Sequence, residues 1–325
     1  MKYDPVEVER TELMWGKRRP FSKIAIYRSN VPAMDEGWIR WAIEHDANFL
    51  YEIVRGQDES ENGELTVNRW SLGDQEARGG NLRAKYDAII LPDQIPKDTL
   101  SGYRAGTMPP EYSGGLGQAG VKALRDFVEQ GGTLVCLNRA STFAIEQFKL
   151  PVRNVVAGVS EREFFVPGSI LRIELDTTNP IAQGMPKETI AWVEDSPVFE
   201  VIRDGRGSSP TVNEGPPSEM SAANVRIIAR YPADRNPLLS GWLLGEGRIR
   251  GKAALVEVTM GKGRIILFGF RPQYRGQSLA TYPLFFNAIL IIQSVPSPLP
   301  HLQGLRLSGR FSSPGSLNLP GLVSV

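Results

Sequence analysis

The stretch from Tyr86 to Ser141 constrains the fold more than any other part of the chain. It opens with YDAIILPDQ, an apolar run stopped by a proline and an acid. It closes with VKALRDFVEQGGTLVCLNRAS, which reads as a helix, a double glycine and a second apolar run. Val121, Leu124, Phe127 and Val128 recur at helical spacing, so one face of the helix is apolar. Gly131 stands where a left-handed C-terminal cap is wanted. Thr133 to Leu137 lacks polar alternation and reads as a fully buried strand. Strand, crossover helix and strand form a βαβ unit, and such a unit implies a parallel sheet. Ligands of open parallel sheets sit beyond the carboxyl ends of the strands. Here those ends are Asp93-Gln94 and Asn138-Arg139-Ala140-Ser141, so any site is expected beside them.

Further elements extend the unit in both directions. KIAIY (Lys23 to Tyr27) reads as a core strand, Met34 to His45 as an amphipathic helix and Phe49 to Val54 as a second strand. RGQDESENGE is a polar, acidic excursion. Lys149 to Phe165 reads as a long connection, and SILRIEL as a strand with one solvated face. Residues 203 to 224 are rich in Gly, Ser and Pro and read as a surface loop. Val225 to Ala229 is a strand. Ala253 to Val258 and Arg264 to Phe270 are two more, joined by a hairpin connection over Thr259 to Gly263. Thr281 and Pro283 suit the start of a last helix, which is apolar almost all round. From Ser294 the chain is rich in Ser, Pro, Gly and Leu without sustained period, as in a disordered tail. The expected organisation is a lead-in over residues 1–21, an α/β domain over 22–293 and a tail over 294–325.

Composition narrows the function classes. The 37 basic and 36 acidic residues leave a net charge of +1, which gives no footprint for nucleic acid or an anionic membrane. The N-terminus is charged and lacks an apolar core, so the chain as written reads as soluble and without an export signal. A single cysteine excludes a disulfide framework and a multi-cysteine metal site. The two histidines, His45 and His301, have no partner at metal-ligand spacing, so neither zinc nor a serine-histidine triad is expected. No metal and no cofactor is expected.

Three motifs imitate chemistry. Gly115 to Gly120 matches G-x-G-x-x-G, but TMPPEY precedes it where a dinucleotide fingerprint needs a strand. GRIRGK (Gly247 to Lys252) is one residue short of a phosphate loop and is followed by Ala253 in place of Ser or Thr. Cys136 sits inside a strand instead of on a strand-to-helix elbow, and reads as a buried, inert thiol. The loop Phe270 to Gln277 is different, because Arg271, Gln273, Tyr274, Arg275 and Gln277 crowd it. Planar, multi-donor side chains of this kind bind ligands or satisfy buried carbonyls. The expected candidate rim is therefore Asp93, Gln94, Asn138, Arg139, Ser141, Glu146, Arg271, Gln273 and Arg275.

Longer motifs carry a family resemblance. YRSNVPAMDEGWIRWAIE, LRAKYDAIILPDQ, GTMPPEYSGGLGQAGVKALRDFVEQGGTLVCLN, QFKLPVRNV, PGSILRIELDTTNPIAQGMP, NPLLSGWLLGE and GKAALVEVTMGKGRIILFGFRPQYRGQS resemble one region of known proteins. It is the C-terminal domain of large bacterial zinc carboxypeptidase-like (carboxypeptidase A-like) proteins, a domain similar to class I glutamine amidotransferases. The resemblance runs from about Lys23 to Ile292. It implies a flavodoxin-like, mostly parallel sheet with helices on both faces and an antiparallel extension. It also implies a zinc carboxypeptidase-like catalytic domain as partner and export of the full-length protein. The His-x-x-Glu zinc motif of the peptidases is absent here, as are the cysteine elbow and His-x-Glu pair of the amidotransferases. The expected function is a non-catalytic accessory module that docks to a partner domain or binds a small ligand at the carboxyl edge. Two alternatives stand beside it: an enzyme using Asp93, Arg139 and Glu146, and a self-association module.

Overall fold

The computed structural model describes residues 23–45, 71–202 and 220–290. The expected lead-in, the strand at Phe49–Val54, the acidic excursion, most of the 203–224 loop and the tail lie outside the described residues.

Five strands form the parallel half of the sheet. They are β1 (Ile24–Arg28), β2 (Ser71–Gly73), β3 (Ala88–Leu91), β4 (Thr133–Leu137) and a later strand, β12 (Gly263–Phe268). Their order is β2-β1-β3-β4-β12, and each neighbouring pair is parallel. This is the flavodoxin-like, doubly wound order. Each long strand is buried on both faces, which explains the continuous apolar runs. Alternate residues feed two cores. Ile24, Ile26, Ala88, Ile90, Val135, Leu137, Ile266 and Phe268 face one side. There α1 (Met34–His45) contributes Ile39, Ala42 and Ile43, and a last helix (Tyr282–Leu290) contributes Leu284, Phe285, Ala288 and Ile289. Ala25, Tyr27, Ile89, Leu91, Leu134, Cys136, Ile265 and Leu267 face the other. That side is covered by α2 (Asp74–Gly79), α3 (Leu82–Lys85), α5 (Gly117–Glu129) and α6 (Arg139–Phe148), while α4 (Pro96–Ser101) follows β3.

The antiparallel extension grows from β12. β11 (Ala253–Met260) pairs with it, followed by β9 (Val225–Arg230) and β6 (Pro167–Leu175). β6 then pairs with β7 (Glu188–Glu194) and β10 (Leu238–Ser240). β5 (Val152–Asn154) pairs with β8 (Phe199–Val201), which joins β11. Several of these differ from the expectation. β5 lies inside the stretch read as a plain connection, and β7, β8 and β10 were not anticipated. Their signals are weak: β5, β8 and β10 have three residues each, and β7 buries only Ala191 and Val193. The β11–β12 connection is also tighter than expected, since Met260 pairs directly with Gly263. Thr281 does not cap the last helix. Its hydroxyl lies 2.7 Å from the Pro272 carbonyl and 3.0 Å from that of Ser278 instead.

Two glycine positions fix how α5 meets the sheet. Gly131, at φ 106°, donates to Val128, and Gly132 donates to Phe127, closing a Schellman motif. Opposite, Gly263 packs so closely that a Cβ there would lie 2.2 Å from the Val128 carbonyl and 2.3 Å from that of Gly132. Both obstacles are backbone and cannot swing aside. Gly263→Ala is expected to destabilise the protein by about 3 kcal/mol in chemical denaturation. Gly247→Ala, with open space around the position, serves as a near-neutral control. Equal stability of the two variants would contradict this packing.

Candidate functional site at the carboxyl edge of the sheet

In the order β2-β1-β3-β4-β12 the direction of winding reverses between β1 and β3, and ligands of such sheets bind outside that edge. β3 delivers Asp93 and Gln94 there, β4 delivers Asn138 and Arg139, and β12 delivers Arg271 and Gln273. The charges at this edge bond to one another. The Asp93 carboxylate accepts five N–H groups. Arg139 supplies its backbone N (3.1 Å), Nε (2.8 Å) and Nη2 (3.1 Å). Arg271 supplies Nε (2.9 Å) and Nη2. Arg271 Nη1 turns the other way, to the Glu194 carbonyl (3.0 Å) and carboxylate (2.8 Å) at the end of β7. Asp93 and Arg271 are 5% and 7% exposed, so these are charge-assisted bonds in a site shielded from water. Burial works against ionisation of Asp93, but the two guanidinium groups outweigh it and hold the carboxyl below its usual range.

A second acid completes the network, and sequence reading missed it. Asp35, in the first turn of α1, looks like an ordinary helix-start acid. It is 3% exposed and accepts the Asp93 backbone N–H (2.9 Å) and Gln273 Nε2 (2.8 Å). Burial, reinforced by the neighbouring Asp93 charge, pushes its carboxyl up to about 6. The two acids are thus driven apart: Asp93 holds the cations, and Asp35 is the one that takes up a proton. The available signal was the loop after β1, which the sheet order places at this edge.

Asn138 occupies the turn from β4 into α6 with φ 50° and ψ −119°. A sharp, strained strand-to-helix turn is where nucleophile-elbow enzymes place their attacking side chain. Here it carries an amide, fully buried, whose Nδ2 donates to the Glu194 carbonyl (3.3 Å). Cys136 lies two residues earlier inside β4, and burial pushes its thiol up. Of the four non-glycine residues with positive φ among the described residues, Asn138, Asp195 and Arg275 all follow strands or loops that reach this edge.

The other rim candidates have separate places. Gln94 donates to the Val31 carbonyl (2.9 Å) and braces the loop after β1. Ser141 is buried, and its hydroxyl lies 3.0 Å from the Cys136 carbonyl and 2.9 Å from that of Phe268, tying α6 to β4 and β12. Glu146 lies seven residues along α6 from Arg139, about 10 Å down the helix axis, so it is not part of the network. Burial raises its carboxyl. Arg275 is exposed and lies over the ring of Tyr274, with its guanidinium carbon 5.9 Å from the ring centre. Among the described residues, no group of three His, Cys, Asp or Glu side chains is placed to hold a metal ion. Among the described residues no helix is long and apolar enough to cross a membrane.

The strand order and the antiparallel extension define a flavodoxin-like, mostly parallel α/β fold. No protein-family model and no curated protein matches the chain. Solved structures similar to it include PurLQS from Thermotoga maritima, at 14% identity and TM-score 0.40 over 83% of this chain and 98% of that one. A ThuA-like protein from Bacteroides uniformis is similar at 12% identity and TM-score 0.39 over 84% and 94%. A β-galactosidase from Bacillus circulans sp. alkalophilus is similar at 14% identity and TM-score 0.38 over 83% of this chain, which is 30% of the enzyme.

Two measurements test the network. Arg271→Met removes two of the five donors to the buried Asp93 carboxylate and the ion-pair partner of the Glu194 carboxylate, and is expected to cost about 3 kcal/mol. Arg139 has a side chain one-third exposed, and Arg139→Met leaves the backbone bond to Asp93 intact, so it should cost only about 1 kcal/mol. The reverse ranking in urea denaturation would contradict the geometry.

The second measurement is pH dependence. Asp35 rises from 3.8 to about 6 on folding, so the folded state holds a proton that the unfolded chain has already released. Its contribution to stability is therefore fully present below about pH 4 and is lost as pH rises through 6, a change of about 3 kcal/mol. Asp93 acts with the opposite sign, its contribution being lost as pH falls. The difference between wild type and Asp35→Asn isolates Asp35 and should fall across that window. A difference independent of pH would place the titration elsewhere.

Proposed function

We propose that the chain is a non-catalytic accessory module of amidotransferase-like fold. In this reading it serves a zinc carboxypeptidase-like protein by presenting a rigid carboxyl edge for docking or for holding a small ligand. The observation that carries it is the state of the edge itself. The elbow holds Asn138, whose amide is not a nucleophile, and Asp93 has no oxygen left to act as a general base. A reacting site needs at least one group free to attack or to move a proton, and Asp35, the acid that takes up a proton, is buried with both oxygens bonded to the Asp93 N–H and Gln273. A binding edge needs groups held in one geometry, and a saturated ion-pair network supplies that.

The test has two halves. The purified full chain is expected to hydrolyse neither glutamine nor C-terminal peptide bonds, and Asn138→Cys alone should not give turnover, because the Asp93 carboxylate beside the elbow is already fully bonded and offers no base. Calorimetric titration with a zinc carboxypeptidase-like catalytic domain is expected to give a saturable complex. Turnover by the wild type that disappears in Asn138→Ala would overturn the reading, as would the lack of any complex.

A further inference from the structure

A groove of ≈ 290 Å³ lies between the outer face of the β6–β7 hairpin and the loop that follows β12. Its walls are Ile170, Ile190, Trp192 and Tyr274, and its polar rim is formed chiefly by Arg275 and Gln277. Ile170 and Trp192 are cross-strand partners, so they present one continuous apolar floor. Tyr274 stacks on Trp192, with ring centres 4.2 Å apart and planes 15° from parallel, and meets the edge of Trp38 at 5.2 Å. That wall is therefore fixed before any ligand arrives.

The charge in the groove is one-sided. No aspartate or glutamate lines it. The nearest carboxylates on the hairpin are committed elsewhere: Glu188 takes Arg172 and Arg235, and Glu194 takes Arg271. Among the described residues Arg275 has no carboxylate partner, and its guanidinium lies over the Tyr274 ring. It is also held at φ 51°, a conformation unfavourable for a side chain with a Cβ. An observed backbone outlier of this kind is a pointer to function. The hydroxyl of Thr281, at the groove floor, is already spent on the Pro272 carbonyl (2.7 Å), which leaves the guanidinium as the strongest free donor.

We propose that this groove binds a small organic monocarboxylate with a flat apolar body, the body lying on Trp192 and Ile190 and the carboxylate pairing with Arg275. One planar guanidinium matches one planar carboxylate through two parallel bonds. A phosphate dianion would call for a second cation, and Arg275 is the one cation in the groove lining. The volume suits a single substituted ring. The inference rests on the reading of the chain as a binding module and names what that module holds.

The experiment uses the full chain and benzoate as probe, with benzamide and phenylphosphonate as comparison arms, in isothermal titration followed by tryptophan fluorescence. Benzoate is expected to bind saturably with a Kd of roughly 1 mM or tighter. Benzamide, of the same shape without the charge, should bind at least tenfold more weakly, and so should phenylphosphonate. Arg275→Gln should weaken benzoate at least tenfold with an unchanged melting temperature. Arg275→Gly removes the Cβ at the positive-φ position, so it should melt at or above the wild-type temperature and still lose binding. Equal binding of benzoate and benzamide, tighter binding of phenylphosphonate, or full retention of affinity in both variants would overturn the proposal. Lack of saturation by benzoate would overturn it too. None of these outcomes depends on turnover, so the groove can fail while the non-catalytic reading stands, and the reverse.

Discussion

Asp93 is the constraint on which the carboxyl edge depends. It follows β3, yet it fixes the segments after β4 and β12 through Arg139 and Arg271, and its own backbone N–H is held by Asp35 of α1. Four segments of the chain are thus referred to one residue. Burying a carboxylate costs several kcal/mol, and the cost is offset only when the geometry is good and every lone pair is used. Five donors on two oxygens meet that condition. A buried network of this type is weak evidence for extra stability. Its better-attested consequence is a single arrangement of the groups it joins.

The same saturation leaves Asp93 without a free oxygen beside a turn shaped like a nucleophile elbow. The turn from β4 to α6 keeps the strained backbone that would thrust a nucleophile outward, but the residue there is Asn138 and its amide is turned to the Glu194 carbonyl. The cysteine that could attack is two residues back in β4, facing the core behind α5 and α6. Strain persists only where the surroundings over-determine it. At Asn138 they do so through the Arg139 backbone bond to Asp93 and through Ser141, which fastens the first turn of α6 to two strand carbonyls.

Much of the parallel half was legible in the sequence because burial on both faces leaves long apolar runs, and because α5 has both an apolar stripe and a glycine stop. Fixing the directions of β3, β4 and β12 then placed Asp93, Asn138, Arg139, Arg271 and Gln273 at one edge before any coordinates. The antiparallel extension was harder. β7 alternates with only two buried side chains, and β5, β8 and β10 are too short for a period to emerge. Asp35 escaped notice because acids at helix starts are common and usually solvated. Only the tertiary placement of α1 against the edge buries it. Glu146 was misplaced for a related reason: it belongs to the helix that starts at the rim, but the helix carries it away.

The network and the groove are joined by adjacent residues. Gln273, fully buried, is held by Asp35, and the next residue, Tyr274, is clamped between Trp192 and Trp38. Arg275 and Gly276 then turn back at φ 51° and 68°, with Gly276 against the ring of Trp41, where a Cβ would come within 2.5 Å. Left to itself, a non-glycine residue in that conformation costs roughly 1–2 kcal/mol. Each aromatic contact of Tyr274 contributes about 0.5–1.5 kcal/mol, and there are two. The stacking is of the size needed to offset that cost, and the Gln273 bond to Asp35 anchors the residue before Tyr274. Gln273 is bonded to Asp35, so the turn that carries Arg275 is anchored to the carboxyl edge through one residue. Rigidity at the edge and orientation at the groove are one property of the loop after β12.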